Sequence, residues 1–141
     1  MSKTILLSID LNAPEQNAAP LAAALDLAGS EGVVHVVSVL PDFGLPQVGG
    51  FFRPGFEREA LTAFGRALAD WVRVSVPEGH AVKAHVLHGT IYDEILRAAD
   101  ALAVDVIVIG AHRPALKDYL LGPNAARVVR HARQSVFVVR T

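Results

Sequence analysis

Two stretches of the chain carry groups able to hold a polar or anionic ligand. The first ends a mostly apolar run, Ile5-Leu6-Leu7-Ser8-Ile9-Asp10, where a carboxylate follows residues of core character. The second runs from Val108 to Arg140 and reads VIGAHRPALKDYLLGPNAARVVRHARQSVFVVR. Gly110 stands at a strand end, where a missing side chain lets a phosphate approach the backbone. Gly122 opens a helix, whose free N–H groups and positive dipole end favour an anion. Arg113 adds a fixed charge with paired donors. Chain geometry alone also accounts for this loop, with Gly110 and Gly122 serving as turn residues. Asp10 has two readings as well: a ligand contact, or a turn former that accepts a hydrogen bond where a helix begins.

Other chemistries find less support. The chain has no cysteine, which excludes disulfides, thiolate catalysis and Cys-based zinc sites. Its six histidines (35, 80, 85, 88, 112 and 131) show no H-x-x-x-H or H-E-x-x-H spacing. His85 and His88 differ by three positions on or just after one strand, so they face opposite sides and do not chelate together. His112 adjoins the candidate anion loop, as a ligand contact or a solvated side chain, and Lys117 has the same two readings. There is no G-x-S-x-G elbow and no full Walker A sequence. No base or nucleophile has a clear partner, so catalysis is the weakest function, at most a slow hydrolysis.

The elements that must position these residues follow from periodicity. Thr4–Ile9 is a mostly apolar run that reads as a strand buried on both faces, and Val33–Leu40, dense in β-branched residues, is a second strand. Between them Asn12 and Pro14 mark a turn and a helix start. Leu21, Ala24, Leu25 and Ala28 fall at helical spacing, and Gly29 and Gly32 end the segment. Pro41–Gly55, with three prolines and four glycines, reads as a loop. Its Phe43, Phe51 and Phe52 pack over the domain or against a partner. Phe56–Val76 places Phe56, Ala60, Phe64, Leu68, Trp71 and Val72 on one helical stripe. Val82–Leu87 alternates, which predicts a strand near an edge. Thr90 and Asp93 form a capping-box pattern before a helix with Ile91, Ile95, Ala98, Ala99 and Leu102 inward. Val104–Ile109 is a further strand, Pro123 starts the last helix, and Ser135–Val139 is the last strand. Strands alternating with helices predict one α/β domain over residues 1–141, with a doubly wound, open, parallel five-stranded sheet. Ligands in that architecture bind beyond the carboxyl ends of the strands, which gathers Asp10, Val39 and Gly110 around one crevice.

Net charge is −1, so no single-sign field points to nucleic acid or an anionic membrane. No apolar run reaches the roughly 18 residues of a membrane span. The expectation is a soluble, cytoplasmic protein.

The Val108–Arg140 segment resembles the nucleotide-binding signature of the universal stress protein family. The resemblance is carried by Gly110, Arg113-Pro114, Tyr119-Leu120-Leu121-Gly122 and the run Ala125–Ala132, together with the opening Ile5–Asp10. It implies a Rossmann-like, adenine nucleotide alpha hydrolase-like fold with strand order 3-2-1-4-5. It also implies an adenine-nucleotide (ATP or AMP) site, with Mg2+ possible, in a stress-response or regulatory protein. Ile9 and Asp10 would then lie beside adenine and ribose, and the Val39 backbone would meet the adenine edge. Gly110 would pass under the ribose or phosphates, with His112, Arg113, Gly122, Pro123 and Asn124 about the phosphates. A homodimer through the last strand, Ser135 to Arg140, is implied too, alongside a regulatory protein partner.

The departures from the family pattern bear on that site. Arg113 replaces the second glycine, Gly110 and Gly122 are one residue closer than usual, and Ser8 replaces a proline. Pro123 replaces the Ser or Thr that follows the last glycine, removing a hydroxyl and a backbone N–H. The amide of Asn124 can supply a donor instead. A protein-interaction module of the same fold without nucleotide binding is therefore the alternative.

Overall fold

A computed structural model describes residues 2–41, 55–111 and 122–140, with the side chain of Phe56 left aside. The described elements are β1 (Thr4–Ser8), α1 (Ala18–Ala28), β2 (Val33–Leu40), α2 (Phe56–Ser75), β3 (Ala81–His88), α3 (Ile91–Ala101), β4 (Val106–Gly110), α4 (Pro123–His131) and β5 (Ser135–Val139). All five strands join one parallel sheet in the order β3-β2-β1-β4-β5. The order predicted from the resemblance is observed.

Strand alternation divides the core in two. Ile5, Leu7, Val34, Val36 and Val108 face Leu21, Ala24 and Ala28 of α1 and Leu68 of α2. Leu6, Val37, Val39, Ile107 and Ile109 face Ile95, Ala98 and Ala99 of α3 and Ala125 and Val128 of α4. Burying each large aliphatic side chain contributes about 1.5–3 kcal/mol, so the central strands, apolar on both faces, anchor the domain. At the start of β2 a Cβ on Gly32 would lie 2.6 Å from the Lys3 carbonyl oxygen and closer still to that of Ala28. A glycine there lets α1 end directly against the sheet.

Several boundaries differ from the sequence reading. β4 begins at Val106 rather than Val104, because Asp105 is occupied at the edge of β1. Its N–H donates to the Thr4 carbonyl (2.7 Å) and its carboxylate accepts the Thr4 N–H (2.8 Å). β1 stops at Ser8, and a 3-10 turn at Pro14–Gln16 precedes α1. Thr90 takes the N-cap position of α3, but its side chain makes no cap hydrogen bond. The reciprocal capping box is absent, and Asp93 is a methylene shorter than the glutamate such a box uses.

At the β3 edge the structure brings together two histidines that lie 50 residues apart. His35 Nδ1 and His85 Nε2 are 2.8 Å apart. The ring centroids are 5.0 Å apart. That separation is close to the N···N distance plus a ring radius at each end, so the nitrogens meet head on, one donating to the other. His88, on the opposite side of β3, places Nδ1 3.1 Å from Glu57 Oε1 on α2. Burial, and then the charges of His85 and Lys83, push the His35 pKa below its ordinary 6.5. The unfolded chain thus takes up this proton before the folded one does. The stability contributed by neutral His35 is complete above pH 6.5 and is lost as pH falls from there toward the lowered folded-state value. Thermal melts at about pH 7.5 and about pH 5.5 should show a smaller acid-induced loss for His35→Gln than for the unsubstituted chain.

Candidate functional site

The carboxyl ends of β1, β2 and β4 open into one crevice of 380 Å³, roofed by the starts of α3 and α4. Its walls include Ile9 and Asp10 after β1, Ser38 and Val39 on β2, and Gly110 on β4. Gly122, Asn124 and Ala125 of the last helix close the far side. Six of the nine predicted site residues, Ile9, Asp10, Val39, Gly110, Gly122 and Asn124, therefore line the same cavity. Pro123 sits beside it, at the first position of α4. His112 and Arg113 lie outside the described residues, as do Lys117 and most of the Pro41–Gly55 loop.

The backbone at this end of the sheet is fixed by named contacts. The last register pair between β1 and β2 is Ser8 with Val37. One step on, the Ile9 N–H still donates to the Val37 carbonyl (3.0 Å), but the Ile9 carbonyl accepts from Ser38 Oγ (3.0 Å). In a parallel ladder alternate residues direct both backbone groups to the same side. Val33 and Val37 bond toward β1, so Val39 does likewise, beyond the point where β1 ends. Its N–H and C=O thus form an edge on the crevice, a donor and an acceptor side by side.

Asp10 is the charged residue of the lining among the described residues. It is exposed, and its Oδ1 accepts the Asn12 N–H (2.9 Å). The Asn17 side chain holds its backbone: Asn17 Oδ1 accepts the Asp10 N–H (3.1 Å), and Asn17 Nδ2 donates to the Asp10 carbonyl (2.8 Å). Across the cavity, Gly122 caps α4 in extended conformation without a side-chain cap bond. Pro123 has no N–H, so the donors of the first turn are the amides of Asn124 and Ala125, at the positive end of the helix dipole. A Cβ on Gly110 would reach ordinary contact with Pro20, at 3.4 Å, and so occupy space at the crevice wall.

The sequence reading missed Ser38 and Asn17. Both are buried polar residues, 2% and 3% exposed. A small polar residue inside a mostly apolar strand, as Ser38 is in VVHVVSVL, was the available signal.

An open parallel sheet wound on both faces, with its crevice where the winding reverses, defines a doubly wound α/β protein of the nucleotide-binding architecture. The chain belongs to the universal stress protein family, whose family model matches residues 1–140. It is similar to Universal stress protein G of Escherichia coli O157:H7, 33% identical over 142 residues, spanning 99% of this chain and 100% of that relative. A solved structure of a family protein from Burkholderia pseudomallei superposes with a TM-score of 0.71 at 25% identity, covering 98% of this chain and 96% of that one. The universal stress protein from Archaeoglobus fulgidus in complex with dAMP shares the fold at a TM-score of 0.57 and 23% identity, covering 96% of each chain. No helix among the described residues is long and apolar enough to cross a membrane.

Removing the Ser38 hydroxyl leaves the Ile9 carbonyl without its donor. Ser38→Ala is expected to lower folding stability by about 1 kcal/mol, measured by urea denaturation.

Proposed function

We infer that the crevice binds an adenine nucleotide, ATP or AMP, and that the protein is a nucleotide-responsive stress or regulatory module acting in the cytoplasm. One observation carries the reading: a single cavity presents a backbone donor–acceptor edge at Val39 and a carboxylate at Asp10 on one side, and an open helix N-terminus at Asn124 on the other. The base edge would pair with Val39, a sugar hydroxyl would donate to Asp10, and the phosphates would take the Asn124 and Ala125 amides. Gly110 leaves room for the ligand beside β4. The cavity volume of 380 Å³ lies within the common range for small-ligand sites, about 300–1,000 Å³. The family membership and the dAMP complex of the Archaeoglobus fulgidus protein support the same reading. Where Mg2+ accompanies ATP, it would sit with the phosphates.

Calorimetry with ATP and magnesium, on protein freed of carried-over nucleotide, is expected to give a Kd below about 100 μM, roughly −5.5 kcal/mol. Asp10→Ala should weaken binding about tenfold. No binding by folded protein would overturn the reading in favour of an interaction module in which Pro123 marks an abandoned phosphate site.

The reading includes a homodimer through the last strand, Ser135 to Arg140. Among the described residues β5 is an edge strand, and its Phe137 is 45% exposed. An unpaired apolar edge is a template for a second strand. Sedimentation velocity at micromolar concentration should show a dimer that Phe137→Asp converts to monomer, and a monomer of the unsubstituted chain would overturn the dimer.

A further inference from the structure

Asn17 occupies the N-cap of α1, the position where an asparagine side chain ordinarily accepts an N–H of its own helix. It makes no such bond. Its carboxamide instead turns back to Asp10, seven residues earlier, and satisfies the N–H at 3.1 Å and the C=O at 2.8 Å of that one residue. The side chain thus pairs with Asp10 as a neighbouring strand would, just past the point where β1 leaves the sheet. It is 3% exposed and lines the crevice. The Asp10 carboxylate is fixed from the other direction, since Oδ1 accepts the Asn12 N–H. Among the described residues Oδ2 has no hydrogen-bond donor, so it is the oxygen left for a ligand. A cap bond has been given up at α1, and what is obtained in its place is a fixed backbone for the one charged group among the described residues of the lining.

We propose that Asn17 is the positioning residue of the site: by clamping both backbone groups of Asp10 it holds the carboxylate where it accepts a hydroxyl of the nucleotide's sugar. The proposal rests on the nucleotide reading above and goes further in assigning the role of setting Asp10 to a residue that itself need not touch the ligand. Asn17 acts through Asp10, so its removal matters to binding as far as Asp10 does and no further.

Two variants test this. Asn17→Ala deletes the clamp. Asn17→Ser also deletes it, because one hydroxyl cannot reach both groups of Asp10, yet serine is a favoured N-cap and preserves the start of α1. Should the alanine variant not fold, the serine variant carries the test. Amide hydrogen exchange, read without ligand, is expected to show faster exchange of the Asp10 N–H in the variant, with protection in β2 and β4 unchanged. Calorimetry is expected to show ATP affinity reduced about tenfold. The double variant Asn17→Ser/Asp10→Ala should bind no more weakly than Asp10→Ala alone, the non-additivity that marks action through a shared partner. Unchanged Asp10 exchange, unchanged affinity in the serine variant, or losses that add in the double variant would each overturn the assignment. If the unsubstituted chain binds no ATP, the nucleotide reading falls and the positioning role with it. If the unsubstituted chain binds ATP and the serine variant binds it equally well, Asn17 alone is overturned.

Discussion

A central strand that stops before its neighbours leaves backbone groups that must be met by something else, and the crevice follows from that constraint. β1 pairs with β2 and β4 but ends at Ser8, while β2 continues to Leu40. A buried N–H or C=O left unpaired costs about 1–3 kcal/mol, so each group beyond Ser8 needs a partner. The Ile9 N–H keeps Val37, the Ile9 carbonyl takes Ser38 Oγ, the Asp10 N–H takes Asn17, and the Asp10 carbonyl accepts from Asn17 Nδ2 and from the Ala13 N–H. The partners come from β2 and from the start of α1, so the chain after β1 turns away from the sheet. The turn leaves the Val39 edge open. The cavity is therefore the space between a strand that ends and two that gather beside it.

The two ends of that cavity differ in charge character, and the difference orients a ligand. Asp10 offers an acceptor and repels a phosphate. The start of α4 offers the Asn124 and Ala125 N–H groups, and a helix N-terminus favours a nearby anion by about 0.3–1 kcal/mol when exposed and up to about 2 when partly buried. A molecule carrying a hydroxyl at one end and an anion at the other fits in a single direction. Pro123 suits this helix start, because the first-turn N–H it lacks has no partner within the helix. It also leaves the anion side with fewer donors than an ordinary first turn provides, which would place more of the proposed recognition on Asp10 and Val39.

Much of the architecture was legible in sequence because it rests on side-chain periodicity. Val33–Leu40 and Ser135–Val139 have the bounds their β-branched runs predict, and Ile95, Ala98 and Ala99 turn inward as the helical stripe requires. Boundaries set by single polar residues were not legible. Asp105 delays β4 by bonding to the Thr4 backbone, and no period in the sequence encodes that. The candidate site divides in the same way. Asp10, Gly110 and Gly122 announce themselves by type at element ends. Ser38 and Asn17 act on backbone groups, and nothing in a side-chain pattern shows which backbone groups lack partners. The His35–His85 contact lies on a diagonal between β2 and β3, His35 standing opposite Lys83 and His85 opposite Val37, so it depends on a register that spacing along the chain cannot reveal.

The two edges of the sheet differ in how they meet the hazard of an unpaired strand. At β3, Lys83 is exposed and His85 and His35 stand together on one face, so a second strand docking there would have to desolvate charge or displace the histidine pair. β5 has no comparable charge within Ser135–Val139, and Phe137 stands out to solvent. Burying that ring in a self-complementary contact would take from water apolar surface that β3 does not offer. The composition of the two edges would thus direct any self-association to β5, the polar edge resisting what the apolar edge admits. β5 also adjoins the crevice wall, because the Ala111 N–H, just past β4, donates to the Val139 carbonyl at 2.9 Å. A contact made on β5 would therefore bear on the backbone beside Gly110, and the proposed interface and the cavity would share one stretch of chain.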